Sequence, residues 1–272
     1  GHPEGFLRGG QGGEVHADPL LWLDGLELAL DRLAKLTDLS QVDAVSVSGQ
    51  QHGSVYLAAG YEVALADGNR ATSLSAKIAP VLSRRSSPIW MDSSTGAECA
   101  EIAAALGGDQ AVCDLTGSVA TMRFTGPQIR RFAKLDPAAW TKTQRVHLVS
   151  SFFASVLAGK DAAIDTGDGA GMNLMDIRKG DWAPATLAAT APDLATKLPP
   201  VRPGSTVAGG ISAYFVARHG FSPKCQVVIG TGDNPSSLVG MGASKPGKVV
   251  ISLGTSDTLF AAIEGVRTDS AG

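Results

Sequence analysis

Short apolar runs alternate along the chain with longer segments in which apolar side chains recur every three or four residues. The run at residues 227–229 is typical of a buried strand, and the longer segments are typical of amphipathic helices. Asp18 and Pro19 predict a helix start, with aspartate as the cap and proline at the first helical position. Its apolar face continues to near Leu36. This alternation of strands and helices predicts a fold of the α/β class.

The same pattern predicts most other elements. Residues 42–48 alternate at period two and lead through a GQQHG turn into a second strand at 54–57, which together indicate a hairpin. Residues 60–87 lack a clear period and are interpreted as an insertion or edge loop. The remaining predictions include helices at 95–106, from just after Arg123 to about 135, around Trp182 and at 211–219. A strand followed by a helix is predicted at 146–157, and a proline-rich linker at 197–204.

Composition excludes several classes of protein. The chain of 272 residues is 44% hydrophobic and 18% charged, which suits a globular protein with one large or two medium domains. A net charge of −3 gives no basic surface for nucleic acid, and no apolar run approaches the length of a membrane span. Cys99, Cys113 and Cys225 have neither metal-ligand spacing nor an even count, which favours free thiols in a reducing cytoplasm.

The strand at residues 227–229 is followed by an acid that can carry chemistry. Gly232 breaks the strand, and Asp233 stands where the strand ends. Ligands of α/β folds bind in crevices at such strand ends, where a rigid frame holds the side chain. Asn234 and Pro235 then predict a helix start, with asparagine at the cap. Taken alone, an aspartate in this position is a helix cap or turn residue more often than a catalytic base.

A second turn with anion-binding potential lies further along. The predicted strand at 249–253 runs directly into Gly254, Thr255 and Ser256, and strand character resumes afterwards. A tight turn of this composition presents backbone N–H groups and two hydroxyls, which suit a phosphate. A Gly-Thr-Ser sequence alone is usually an ordinary hairpin turn, so this motif gains weight only in combination with Asp233.

The GQQHG turn is the third candidate. Glycines at both ends let the backbone bend sharply and expose Gln51 and His52. An amide and an imidazole both donate and accept hydrogen bonds, which suits a polyhydroxylated ligand. The alternative from the residues alone is a hairpin whose histidine is merely solvated. Asp92 is also open to two interpretations, as a turn or cap residue or as a further ligand of the same molecule.

In this order the three motifs resemble the FGGY carbohydrate kinases, which have the actin-like ATPase (ribonuclease H-like) fold with two domains. Gln51 and the RFTG-x-Q-I pattern beginning at Arg123 resemble the animal-like xylulokinase branch of that family. The resemblance implies a partial N-terminal sugar-binding domain at 1–203 and the start of a C-terminal ATP-binding domain at 204–272. We expect both to be incomplete, because no Asp-x-Gly-Thr or Asp-x-Ser-Thr phosphate turn precedes the GQQHG turn.

The resemblance also implies an activity, the transfer of the ATP γ-phosphate to D-xylulose to give D-xylulose 5-phosphate, with Mg²⁺ as the metal cofactor. In that reaction Asp233 is the catalytic base that deprotonates the sugar hydroxyl. The implied sugar-binding residues are Gln51, His52, Arg123, Asp233 and Asn234. The implied phosphate-binding residues are Gly254, Thr255 and Ser256, and no residue is assigned to the metal.

Several alternatives stay open beside this interpretation. The chain could bind a sugar without catalysis, as a fragment or pseudokinase, or the enzyme could act on another ketopentose such as ribulose. A nicotinamide dehydrogenase is disfavoured, because no G-x-G-x-x-G motif opens a helix after a strand. The expected location is cytoplasmic, the expected partners are the sugar and ATP rather than nucleic acid or membrane, and a homodimer remains an option.

Overall fold

The computed structural model describes residues 5–8, 12–253 and 258–271, and the elements below lie within those ranges. The helices are α1 (Pro19–Leu33), α2 (Tyr61–Ala66), α3 (Leu74–Ile78), α4 (Gly96–Leu106), α5 (Asp109–Thr116), α6 (Thr125–Leu135), α7 (Pro137–Lys142), α8 (Val149–Ala158), α9 (Thr166–Gly169), α10 (Pro184–Thr190), α11 (Leu194–Lys197), α12 (Ala213–His219) and α13 (Asp233–Gly240). None of these helices is long and apolar enough to cross a membrane.

The strands are short, and most join segments that are distant in sequence. They are β1 (Leu7–Arg8), β2 (Val15–Ala17), β3 (Ala44–Val45), β4 (Ser48–Gly49), β5 (Ser54–Ala58), β6 (Ser87–Pro88), β7 (Thr143–Leu148), β8 (Ile164–Asp165), β9 (Met175–Asp176), β10 (Asp181–Trp182), β11 (Val201–Arg202), β12 (Val207–Gly210), β13 (Gln226–Val228), β14 (Thr231–Gly232), β15 (Val249–Ser252) and β16 (Thr258–Ala261).

Parallel pairing connects the first part of the chain to its last third. β3 lies parallel to β13, and β4 lies parallel to β14. β13 also pairs antiparallel with β12, and α8 packs against these strands. Strands from both sides of the predicted domain boundary at residue 204 therefore share the same sheets. The division of the chain at that residue stays a prediction.

The strand β5 separates two hydrophobic cores. It pairs antiparallel with β7, and its side chains alternate between the two sides of that pair. Val55 and Leu57 enter a core formed with α1, α3, α8 and α12, whereas Tyr56 enters a second core with α6, α7 and α10. Full burial of each large apolar side chain stabilises the fold by roughly 1.5–3 kcal/mol. The two cores together fix β5, and with it the turn that precedes this strand.

The GQQHG turn does not belong to a hairpin, so that part of the sequence prediction is wrong. β4 before the turn pairs with β14, and β5 after it pairs with β7, so the turn passes from one sheet to another. The prediction of a loop over 60–87 is also wrong, because this segment contains α2 and α3, and α3 packs on α1. These helices are too short for a helical period to be recognised in the sequence.

Two further predictions need correction. Trp182 lies in β10 rather than in a helix, and the helix that follows begins at Pro184. The proline-rich stretch at 197–204 is not a free linker. Leu198 and Val201 are buried, and β11 within this stretch pairs in parallel with β8. Prolines are tolerated here because β11 is only two residues long and needs few ladder hydrogen bonds.

The start of α1 agrees with the helix start predicted from the sequence, whereas the start of α13 does not. Asp18 caps α1, accepting a 2.9 Å hydrogen bond from the Leu20 N–H, with Pro19 at the first helical position, as predicted. At α13 the cap is Gly232, and Asp233 is the first helical residue, so the prediction of Asn234 as the cap is wrong. The side chain of Asn234 is therefore available for contacts outside its helix.

Candidate active site

The parallel pair β4 and β14 brings the two candidate motifs together. Its register places Ser48 opposite Thr231 and Gly49 opposite Gly232. Because parallel strands end at the same edge of a sheet, the residues that follow each strand emerge side by side. The GQQHG turn follows β4, and α13 with its first residue Asp233 follows β14. The sequence therefore folds so that motifs about 180 residues apart form one site.

Two hydrogen bonds join the two motifs at this edge, and a third, within α13, reaches the same carboxylate. The backbone N–H of Gln51 donates to Asp233 Oδ1 over 3.1 Å, and the N–H of Asn234 donates to the same oxygen over 3.0 Å. The Asn234 amide donates from Nδ2 to Gln51 Oε1 over 2.8 Å. Asp233 and Asn234 are exposed, so a ligand can reach both side chains. The structure thus brings together three of the residues that the sequence assigned to the sugar.

The close packing of the two motifs at this sheet edge requires glycine at positions 49 and 232. A Cβ atom added to Gly232 would lie 2.6 Å from Gln51 Cγ and 2.8 Å from Asp168 Oδ1. A Cβ atom added to Gly49 would lie 2.5 Å from the backbone nitrogen of Ser150, where α8 begins. Distances below 3 Å are not found between real atoms of these types, so any larger residue would push the turn away from its supports.

His52 is the next residue of the turn and is held on three sides. Its backbone has φ +71°, in the left-handed region that non-glycine residues seldom adopt. The imidazole stacks on Phe124 at 4.3 Å between ring centroids, and its Nδ1 lies 2.9 Å from the carbonyl oxygen of Gly171. Thr125 Oγ1 donates to the backbone carbonyl of His52 over 3.2 Å. These contacts fix both the backbone and the ring orientation.

The ring of His52 is neutral over the physiological range. Burial lowers its pKa from 6.5 to about 4, more than the contact with Gly171 raises it. A carbonyl oxygen can only accept, so Nδ1 carries the proton of the neutral ring, and Nε2 is left as an acceptor. A neutral imidazole oriented in this way can accept a hydrogen bond from a ligand hydroxyl.

Arg123 stands at the edge of this cluster. It is exposed and directly precedes Phe124, and its positive charge is one of the causes that lower the pKa of His52. The guanidinium therefore lies within electrostatic range of His52. Its five donors in a planar fork suit a molecule with several hydroxyls.

Asp168 is a residue of this site that the sequence interpretation missed. Its segment, 165–174, was interpreted as structural. Its side chain is only 1% exposed and lies under the turn, with Oδ2 accepting a 2.5 Å hydrogen bond from Ser150 Oγ. Burial is the main cause that raises the pKa of Asp168 from 3.8 to about 7. Two acids three residues apart in a glycine-rich run were the only signal that the sequence offered.

Asp92 has a different role. Its carboxylate is buried and accepts hydrogen bonds from the N–H groups of Val15 and Ser94, from the Ser94 hydroxyl and from the Gln128 amide. Burial acts to raise the pKa of Asp92, but the His16 imidazole, 3.5 Å from Oδ2, and the bonds from Ser94 and Val15 hold it well below its usual range. Both oxygens are bonded to other parts of the protein, and the two bonds from Ser94 favour the turn interpretation of Asp92 over sugar contact.

The predicted phosphate-binding residues Gly254, Thr255 and Ser256 lie outside the described residues. The strands that flank them, β15 and β16, form an antiparallel pair whose last register position is Ser252 opposite Thr258. The two strands agree with the strand segments predicted on either side of these residues.

Comparisons with known proteins define the class. The family model described as "FGGY family of carbohydrate kinases, N-terminal domain" matches residues 85–240, and the chain belongs to this family. The chain is 47% identical over 249 residues to Xylulose kinase 2 of Arabidopsis thaliana, covering 91% of this chain and 45% of the relative. It is also 47% identical over 261 residues to the Xylulose kinase of Rattus norvegicus, covering 93% and 48%. The chain thus spans about half the length of the curated relatives it matches.

Solved structures agree with the fold. The structure of a "xyloylose kinase" from Brucella ovis superposes with a TM-score of 0.78 at 27% identity, covering 94% of this chain and 48% of that one. A xylulose kinase from Rhodospirillum rubrum gives a TM-score of 0.76 at 21% identity, covering 93% and 48%, and supports the fold alone. The predicted family and its α/β, actin-like ATPase fold are confirmed.

Proposed function

We propose that this protein is an ATP-dependent sugar kinase that phosphorylates D-xylulose to D-xylulose 5-phosphate. The observation that carries the proposal is the fixed position of the Asp233 carboxylate beside Gln51, His52 and Asn234. The similarity of the chain to xylulose kinases from Arabidopsis thaliana and Rattus norvegicus supports the choice of sugar. ATP as phosphate donor follows from the family to which the chain belongs.

The sugar is bound by groups that complement its hydroxyls. His52 Nε2 accepts from one hydroxyl, because Nδ1 is already occupied by Gly171. The amide side chains of Gln51 and Asn234, which are bonded to each other, offer further donors and acceptors. Arg123 contributes its guanidinium fork from the edge of the site. A ligand with hydroxyls on successive carbons uses all four groups.

Asp233 takes the proton from the hydroxyl that attacks ATP. Its Oδ1 accepts the N–H groups of Gln51 and Asn234, and these bonds fix the plane of the carboxylate. We assign Oδ2 as the oxygen that receives the sugar proton. A positioned general base of this kind contributes roughly 10²–10⁴-fold to the rate. Phosphoryl transfer otherwise depends on positioning and on neutralising the charge of the phosphates.

The ATP side of the reaction lies in the later part of the chain. We assign residues 1–203 to the sugar-binding domain and 204–272 to the start of the ATP-binding domain, with Gly254, Thr255 and Ser256 at the phosphates. Within the described residues no group of three or more histidine, cysteine, aspartate or glutamate side chains could hold a metal ion. Mg²⁺ would neutralise phosphate charge, but no residue of this chain is assigned to it and no step is derived through it.

A substrate screen tests the proposal. The protein in its full natural length is incubated with ATP and, separately, with D-xylulose, D-ribulose and glycerol, and ADP formation is followed. We expect D-xylulose to give the highest kcat/KM. Phosphorylation of none of these substrates would overturn the proposed activity. Calorimetric binding of D-xylulose without ADP formation would identify a sugar-binding protein instead of a kinase.

A further inference from the structure

Asp168 lies buried beneath the junction of the two motifs, the place where Gln51 meets Gly232 and Asp233. It lies on α9, which packs against β14, and its Oδ1 faces Gly232, the residue before Asp233. The same glycine approaches Gln51 Cγ, so Asp168 and Gln51 crowd the same position from two sides. Among the described residues, Ser150 is the only hydrogen-bond partner of the Asp168 side chain, and Oδ1, which is fully buried, has none.

The charged groups around Asp168 disfavour a second negative charge. Asp165, at the end of β8, and Asp233, at the start of α13, both raise the pKa of Asp168. β11 contributes Arg202, which is exposed and donates to the carbonyl of Val201. The segments of α8 and β14 that pack here carry no charged side chain. His52 lies above the neighbouring Gly171 and is neutral. Among the residues that the structure describes, no cation therefore compensates an ionised Asp168.

We propose that Asp168 is a positioning residue of the site, a neutral carboxyl that supports the turn at Gly232 and Asp233 while Asp233 is ionised. The proton sits on Oδ1, because Oδ2 accepts from Ser150. In this state Asp168 and Asp233 together carry one negative charge instead of two. Loss of the proton places a buried, uncompensated charge directly under the turn.

The inference deepens the proposed function and rests on it for its consequence. ATP brings several negative charges to the same site, and a second carboxylate there would repel the phosphate that must approach the sugar. Since kcat/KM reports ionisations of the free enzyme, it should decline as Asp168 loses its proton. The decline should be centred near pH 7, where burial and its neighbours place the pKa of this carboxyl.

The ionisation can be measured without any activity. The side-chain carboxyl carbons of ¹³C-labelled protein are titrated by NMR, and the Asp168 signal is identified by its loss in Asp168→Asn. We expect a midpoint near 7 in the unmodified protein. Asp233→Asn removes a negative neighbour and should lower the midpoint. Ser150→Ala removes the hydrogen bond that favours the charged form and should raise it. Asp24→Asn, an exposed change on α1, is the matched control and should leave it unchanged.

Opposite shifts in the Asp233→Asn and Ser150→Ala variants are the signature of the proposed coupling. A midpoint below about 5, or one that Asp233→Asn does not move, would overturn the inference. In the activity arm, the alkaline decline of kcat/KM for D-xylulose should be absent in Asp168→Asn and displaced to higher pH in Ser150→Ala.

The NMR titration and the pH profile of kcat/KM distinguish a failure of this inference from a failure of the proposed function. A decline that persists unchanged in Asp168→Asn would refute the positioning role even with the expected NMR midpoints. Failure to phosphorylate any sugar, together with the expected NMR shifts, would remove the proposed function and leave Asp168 as a neutral carboxyl coupled to Asp233. If Asp168→Asn does not fold, the Asp168 signal is identified instead as the carboxyl whose midpoint falls in Asp233→Asn and rises in Ser150→Ala, and the absence of any such signal would overturn the inference.

Discussion

His52 makes the stability of this protein sensitive to acid, and the size of the effect follows from its burial. The folded protein lowers the pKa of His52 from 6.5 to about 4. Below pH 6.5 the unfolded chain therefore binds a proton that the folded protein takes up only near pH 4. Stability is lost as the pH falls through this window, because protonation favours the unfolded state.

The magnitude comes directly from the pKa difference. One pKa unit corresponds to about 1.4 kcal/mol, so His52 should remove about 3 kcal/mol from the free energy of unfolding between pH 7 and pH 4. His52→Asn removes this titration while keeping the local geometry. Asparagine tolerates the left-handed backbone, and its amide can donate to the carbonyl of Gly171 in place of Nδ1.

The assay is urea unfolding of both proteins at several pH values between 7.5 and 4. Other titrating groups affect both curves alike, so the difference between the two free energies of unfolding isolates His52. We expect this difference to change by about 3 kcal/mol in favour of His52→Asn as the pH falls. Gln51→Asn, a neutral exchange at the preceding residue, should give a curve parallel to the unmodified protein. Parallel curves for His52→Asn would refute the argument that burial keeps this ring neutral.

Three substitutions test the sugar site by calorimetric titration with D-xylulose. His52→Ala should weaken binding about tenfold to a hundredfold, because a buried ligand hydroxyl loses its partner, and unchanged affinity would remove His52 from the site. Arg123→Lys should also weaken binding, since lysine lacks the planar fork of donors, and an affinity equal to that of the unmodified protein would make Arg123 a surface charge. Gly232→Ala places a Cβ atom 2.6 Å from Gln51 Cγ and 2.8 Å from Asp168 Oδ1, so it should cost about 1–3 kcal/mol in stability and lower the affinity. A variant with normal stability and affinity would show that this close approach is not needed.

The sequence predicted the parts of the site that depend on strand ends. The buried run predicted to end at Asp233 lies in β13, and Asp233 follows the separate short strand β14, whose parallel register with β4 carries the GQQHG turn to the same sheet edge. Glycine at position 232 marks the close approach of Gln51. The glycine and the acid are local in sequence, and an acid that follows a strand is a feature that hydrophobic patterning can reveal, whereas the pairing of β4 with β14 is long-range and was not predicted.

What the sequence did not predict depends on long-range pairing and burial. The GQQHG turn looked like a hairpin because two strand-like segments flank it, yet their partners are β14 and β7. The proline-rich stretch at 197–204 looked like a linker, but burial of Leu198 and Val201 fixes it in place. Asp168 looked structural because its burial under the turn arises only when α9 packs against β14.

Turnover by the Asp233→Asn variant tests the central claim most directly. Asparagine keeps an oxygen that can accept the N–H groups of Gln51 and Asn234, so the turn and the sugar site should remain intact. The measurement combines D-xylulose affinity by calorimetry with ATP-dependent turnover in the same preparation of the protein in its full natural length. We expect affinity within about threefold of the unmodified protein and kcat lower by at least about a hundredfold. Full turnover in this variant would contradict the role of Asp233 as the base and, with it, the mechanism proposed for this site.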